Sequence, residues 1–296
     1  MRPVSAAEAQ VPLGVRVRLG HAAAQHVADA VGARILHLKG YALAESLRWP
    51  GRVGTDVDVL VHPGDLKTYL AGLAAAGWAC QTGFEWGSAF GHSSTLLHPD
   101  WGYLDVHRLF PGLGPDAARS FEALWAARTT SDLGGRPCTV PDLDGQALVL
   151  LLHAGRSEGS VKAEQDVARA WGAASAERRA SIEALVGRLG AEVGFAAAVG
   201  GLERYSDRPE YRLWQVASQG GTRLEEWRAR VAAAPTLRAK AAVVARAPLV
   251  NVEHLAATLG RRPTRAEIAR EFVERPLRGV REEMRRRRAR VRGAGS

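Results

Sequence analysis

Cysteine, aromatic residues and long apolar runs are all scarce in this sequence, and each scarcity narrows what the chain does. Only two cysteines occur, Cys80 and Cys138. They form no metal-binding or redox pattern and leave room for one chance disulfide. A reducing cytoplasm is the expected setting. The segment Met1–Ser5 lacks the continuous apolar core of a secretory signal. The longest apolar run, Ala147–Leu152, is far too short to span a bilayer, so no transmembrane segment is expected. Aromatics make up 6% of the chain, and few of them interleave its basic end, so base stacking there is not indicated.

What is present suits a soluble globular protein. The 296 residues are 46% hydrophobic and 24% charged, enough for one sizeable core plus a second domain or a helical extension. The net charge of +9 is uneven. Residues 261–296 hold thirteen arginines against five glutamates, which leaves the rest of the chain at +1. The body is near neutral and the basic character belongs to the end, which weakens any reading as a protein built to coat nucleic acid.

Along the chain, Val15–Ala33 has the apolar spacing of an amphipathic helix ending near Gly32. Arg34–Lys39 reads as a strand, Tyr41–Trp49 as a second helix and Asp56–Val61 as another strand. Asp65 is the expected cap of a helix over Leu66–Ala76. Extended pieces follow at Trp78–Gln81, Phe84–Trp86, Ser94–His98 and Tyr103–Phe110, the last two joined as a hairpin through Pro99-Asp100-Trp101-Gly102. After a helix over Asp116–Arg128 and a small hairpin about Gly134-Gly135, nearly everything from Leu143 onward suits helix. The expected division is residues 1–140 and residues 141–296.

The chemistry centres on Gly54-Thr55-Asp56-Val57-Asp58-Val59-Leu60-Val61. Strand alternation puts Asp56 and Asp58 on one face and the three valines on the other. Adjacent carboxylates resist burial unless something positive sits between them, and a divalent metal is the usual answer. In Tyr103-Leu104-Asp105-Val106-His107, Asp105 and His107 share a face. If the two strands are neighbours, three carboxylates converge, a set suited to metal-assisted phosphoryl or nucleotidyl transfer. Asp-x-Asp alone is a common accident on surface strands; the flanking valines and the second acidic strand shift the balance. Leu38-Lys39-Gly40-Tyr41 reads as a strand end, a glycine and a helix start, where free N–H groups and Lys39 attract phosphate. Arg52, four residues before Asp56, either holds a phosphate, pairs with one of these acids or is a surface arginine in a turn. His92 and His107 are candidate base, phosphate or ribose contacts.

Together these segments resemble the uncharacterised nucleotidyltransferase family, nucleotidyltransferase family 5, of the DNA polymerase β-like superfamily. The resemblance runs through Lys39-Gly40-Tyr41, then Arg52 to Val61, then Leu104-Asp105-Val106-His107, and more faintly to His153 with Asp166. It implies an α+β fold: a palm of mixed sheet with flanking helices, followed by a mainly helical domain ending in an arginine-rich helix or tail. Asp56, Asp58 and Asp105 would then be catalytic and bind magnesium, two ions in all. Lys39, Gly40, Arg52, Thr55, His107 and Lys162 would hold the nucleotide. The turn reads lysine–glycine, where most of the superfamily has paired small residues.

The implied reaction moves a nucleoside monophosphate from an NTP such as ATP to an acceptor hydroxyl or phosphate, with release of pyrophosphate. A small molecule or a peptide natural product is the favoured acceptor. A tRNA or other RNA, bound through the basic end and its Arg285–Arg288 run, is the alternative, as is a non-catalytic palm that binds nucleotide or RNA. Lys162 is either part of a helix-face ion pair with Asp166, four residues on, or a second wall of the cleft. Arg156 is a further candidate for that wall. The base, the acceptor and the oligomeric state are not encoded in any motif.

Overall fold

The computed structural model describes residues 11–84, 90–234, 236–246, 255, 259, 261–272 and 274. The extended reading at Phe84–Trp86 falls mostly outside these residues, and the Arg285–Arg288 run lies wholly outside them.

Helix α1 (Leu13–Val31) presents Val17, Ala24, Val27 and Ala28 on one buried face. It ends where Gly32 takes φ of +68°, a conformation that costs a glycine little. Five strands follow: β1 (Ile35–Leu38), β2 (Val57–Val61), β3 (Ala79–Thr82), β4 (Ser93–His98) and β5 (Gly102–His107). They form one mixed sheet in the order β1-β2-β5-β4-β3, parallel between β2 and β5 and antiparallel elsewhere. The parallel pair is possible because α2 (Leu66–Ala75) and two strands separate β2 from β5 in sequence.

Alternation along the strands builds two cores. Val57, Val59, Val61, Leu104 and Val106 face α1 and α2. Leu36, Leu38 and Leu60 face the other way, into a cluster with Phe121, Leu148 and Ile182. That second cluster draws on α3 (Ala117–Ala126), α4 (Leu143–Ala154) and α6 (Ala176–Leu189), so the core runs on across residue 140. Helix α4 is apolar nearly all round, and nine of its residues are buried, as a central helix must be. Between α3 and α4 lies the hairpin of β6 (Thr129–Leu133) and β7 (Arg136–Val140), as the Gly134-Gly135 turn implied. Beyond α4 come α5 (Val161–Val167), continued by a π-helical turn over Ala168–Gly172, then α7 (Glu192–Val199), α8 (Tyr211–Gln219), α9 (Arg223–Ala233) and α10 (Leu237–Arg246). Among the described residues no helix is long and apolar enough to cross a membrane.

Two expectations of local structure are corrected. Tyr41–Trp49 is not a helix but two short 3-10 turns, Gly40–Ala42 and Glu45–Leu47. Leu43 and Ala44 are extended, and the Ala44 N–H is taken by the Gln146 side chain of α4 at 2.6 Å, so a tertiary bond replaces the helical one. Asp65 precedes α2 but does not cap it with its side chain. Its carboxylate accepts instead from the backbone N–H and Nε of Arg34, at 3.0 and 3.1 Å. The two cysteines are both free, Cys80 exposed and Cys138 buried.

A buried histidine pair lies between α1 and β1. His21 Nδ1 and His37 Nδ1 are 2.8 Å apart, and His37 Nε2 donates to Gln25 Oε1 at 3.2 Å. His37 therefore accepts at Nδ1 from His21, which leaves His21 Nε2 bare, buried and without a partner. Both rings are held neutral: burial lowers His21 to about 4 despite the charge of Asp58, and burial with the neighbouring His21 lowers His37 well below its ordinary value. A depressed histidine is protonated first in the unfolded chain, so stability falls as pH drops below about 6.5. For His21 the loss reaches ~3 kcal/mol by its folded-state value. Urea midpoints at pH 7 and pH 4.5 should fall less in a His21→Phe variant than in the native chain. An equal acid-induced fall in both would contradict the assignment.

Candidate active site

Strands β2 and β5 run side by side with Asp58 directly opposite Asp105. Both carboxylates lie on the α4 side of the sheet, because their neighbours Val57, Val59, Leu104 and Val106 are committed to the α1 side. Asp58, Asp105 and His107 each offer one ligand atom, all within 4.8 Å of one another. Asp58 is 4% exposed and Asp105 is half-buried.

The electrostatics divide the acids. Burial alone would raise Asp58, but Lys39 and His107 outweigh it and hold the carboxyl well below the usual range. Lys39 Nζ is 2.6 Å from Asp58 Oδ1, and His107 Nε2 donates to the same oxygen at 2.8 Å. Asp105 is pushed up to about 6 by burial and by the charge of Asp58, although Thr95 donates to it at 2.6 Å. Burial and Asp58 also raise Asp56. Two acids raised by burial and by an ionised third make a donor set that fits a divalent cation.

Asp56 stands just before β2 and outside the 4.8 Å group. It accepts from Thr55 Oγ1 at 3.3 Å and feels the charges of Lys39 and Lys162. Lys162, in the first turn of α5, is exposed, and its ion pair with Asp166 does not form. Lys39 takes φ of +46°, the one non-glycine among the described residues with positive φ. Such strain persists only where the surroundings enforce it. Here Gly40 (φ +52°) and Gly54 bring two backbones together: a Cβ on Gly54 would meet Gly40 Cα at 3.2 Å. Contrary to the expectation for Lys39-Gly40-Tyr41, the three-residue turn after Lys39 is too short to offer a helix terminus to a phosphate.

Arg52 is turned away from any phosphate. Its Nε and Nη2 donate to the two oxygens of Asp166 at 2.7 and 2.9 Å, and Trp49 Nε1 donates to the same carboxylate at 2.9 Å. The Arg52 and Asp166 side chains are 1% and 0% exposed. The carboxylate partner of Arg52 is thus Asp166 and not Asp56, Asp58 or Asp105. His92 lies beside His107, with ring centroids 5.1 Å apart, and accepts from Arg156 Nη1. Nothing in the spacing marks the contact with Arg156, since the two residues are 64 apart in sequence.

The model of the family described as "Uncharacterised nucleotidyltransferase" matches residues 25–196, more than half of the chain. The chain belongs to this family. It is an enzyme of the nucleotidyltransferase class, and nucleoside monophosphate transfer is its reaction type. The mixed sheet with flanking helices is the α+β architecture that the resemblance implied. No curated protein matches this nucleotidyltransferase in sequence. Among solved structures it is similar to lincomycin-bound lincosamide antibiotic adenylyltransferase LnuA, at 16% identity and a TM-score of 0.36, over 52% of this chain and 94% of that one. It is also similar to the antibiotic-resistance factor ANT(2'')-Ia, at 16% identity and a TM-score of 0.40, over 64% of this chain and 96% of that one. An antigenic nucleotidyltransferase-like protein from Paracoccidioides brasiliensis matches at 16% identity and a TM-score of 0.36, over 70% of this chain and 94% of that one.

Proposed function

We propose that this nucleotidyltransferase is magnesium-dependent, releases pyrophosphate from an NTP and transfers the NMP to a small molecule or peptide natural product. The observation that carries the reading is the register of β2 and β5, which sets Asp58 against Asp105 with Asp56 at the strand entrance. Asp58, Asp105 and Asp56 would hold magnesium, two ions when the set is full. Bound there, the metal supplies Lewis-acid stabilisation of charge on the phosphoryl oxygens. His107 orients Asp58 by its hydrogen bond. Lys39 pairs with Asp58 while no polyphosphate is bound and is placed to turn to one. Lys162 and the Gly40 and Thr55 backbone add to the phosphate side.

In the transfer, the acceptor oxygen bonds to the α-phosphorus, the bond to the bridging oxygen breaks, and pyrophosphate leaves with that electron pair. The hydroxyl proton goes to Asp105, whose raised proton affinity suits a general base. The free thiols of Cys80 and Cys138 suit a reducing cytoplasm.

The near-neutral body favours a small acceptor over RNA. A chain lacking residues 281–296 should therefore transfer as fast as the full chain, with a shallow dependence on salt. Steep loss of transfer with rising salt, together with loss on truncation, would point to RNA instead. Pyrophosphate release from a panel of NTPs, with candidate acceptors added in turn, identifies the substrates.

A further inference from the structure

Beside the acids lies a half-buried cation without an ion-pair partner. Arg156 follows α4 in the chain, and its guanidinium carbon sits 5.4 Å from the Phe110 ring centroid and 6.0 Å from that of Phe90. Among the described residues no carboxylate lies within ion-pairing distance of it. Nη1 donates to His92 Nε2 at 3.1 Å and Nη2 to His153 Nδ1 at 3.4 Å, while Nε is buried with no hydrogen-bond partner. Arginine has only donors, so both imidazoles must present a bare nitrogen and stay neutral. Contacts of 3.1 and 3.4 Å to neutral rings leave the charge without an ion-pair partner, and a half-buried cation in that condition favours an anion that can make charge-assisted bonds.

We propose that Arg156 binds the terminal phosphates of the nucleoside triphosphate, an assignment that rests on the nucleotide-transfer reading of this site. Burial lowers Arg156 to about 10, and Asp58 and Asp105 restore only part of the loss, so neither acts as its partner. His153, which accepts from Arg156 Nη2, is held neutral: burial keeps its proton affinity well down, and the charges of Lys39, Arg156 and Lys162 lower it further against the opposing charge of Asp58. The three cations belong to the end of β1, the loop after α4 and the first turn of α5. A single cation would match a monoanionic acceptor; three match a triphosphate. Arg156 differs from the two lysines in its planar fork, which engages two phosphate oxygens at once.

The test is calorimetric titration of the full chain with inorganic tripolyphosphate, without NTP or acceptor, accompanied by urea unfolding. Arg156→Met should weaken tripolyphosphate binding about tenfold or more, with stability little changed, because a half-buried charge without an ion-pair partner has been removed. Arg156→Lys keeps the charge without the fork and should bind between Arg156→Met and the native chain, which preserves the test if the methionine variant does not fold. Native affinity in either variant overturns the assignment, as does a methionine variant that loses stability while binding unchanged. Since turnover plays no part in the titration, such a result leaves the transfer reading intact. That reading fails separately, if Asp58→Asn still transfers.

Discussion

Asparagine in place of Asp58 lowers NMP transfer by about a thousandfold or more, equivalent to several kcal/mol of lost transition-state charge stabilisation. The side chain is nearly isosteric, so packing is preserved, and the change removes the one carboxylate that its surroundings keep fully ionised. The amide keeps an acceptor oxygen for Lys39 and His107, while Asp105 and Asp56 would no longer be raised by a neighbouring charge. These effects oppose each other in stability, so the unfolding free energy should move by about 1 kcal/mol. The outcome to measure is pyrophosphate release beside a urea melt. Lost transfer in a stable protein supports the role, and retained transfer contradicts it. Asp105→Asn should fall as steeply. Asp56, which lies outside the tight group, should show a loss of the same direction.

Leucine in place of Asp166 costs about 3–5 kcal/mol of stability. The carboxylate receives Arg52 through two hydrogen bonds and Trp49 through a third, with almost no exposure. Removing it strands a buried guanidinium whose Nη1 already lacks a partner. At ~2–4 °C per kcal/mol for a protein of this size, the melting temperature should drop by about 10 °C. The pair also ties the loop that leads to Asp56 onto α5, so activity should fall with stability. Replacing both partners, as Arg52→Met with Asp166→Leu, should recover most of the stability and less of the activity, because the apolar pair fills the space without fixing the loop. A loss below about 1 kcal/mol for Asp166→Leu would show that the pair is not the clamp described.

The local alternation Val57-Asp58-Val59 and Leu104-Asp105-Val106 made the acidic strands legible, because burial on one face dictates where the other points. That β2 and β5 are parallel neighbours with Asp58 opposite Asp105 was only a condition in the sequence, and the sheet supplies it. The helix expected over Tyr41–Trp49 does not form because Gln146, about a hundred residues away, takes the Ala44 N–H that a helix would have used. Arg52 reads in the sequence as a phosphate or site-acid partner beside Asp56, whereas the carboxylate it meets, Asp166, lies 114 residues away. The contact between Arg156 and His92 and the pair of His21 with His37 have the same character. Each joins isolated polar residues from distant elements, and no periodicity reports which of them meet. Lys39 reads in the sequence as a residue before a helix start, yet its strained backbone and its bond to Asp58 are properties of the folded turn.

Direct binding of manganese, as a spectroscopic stand-in for magnesium, bears most closely on the three acids. Titrated by electron paramagnetic resonance in the presence of a non-hydrolysable NTP analogue, the native chain should bind the ion saturably, and Asp58→Asn should lose that binding while remaining folded. Equal manganese binding in the two proteins would contradict the assignment of these acids as the metal site.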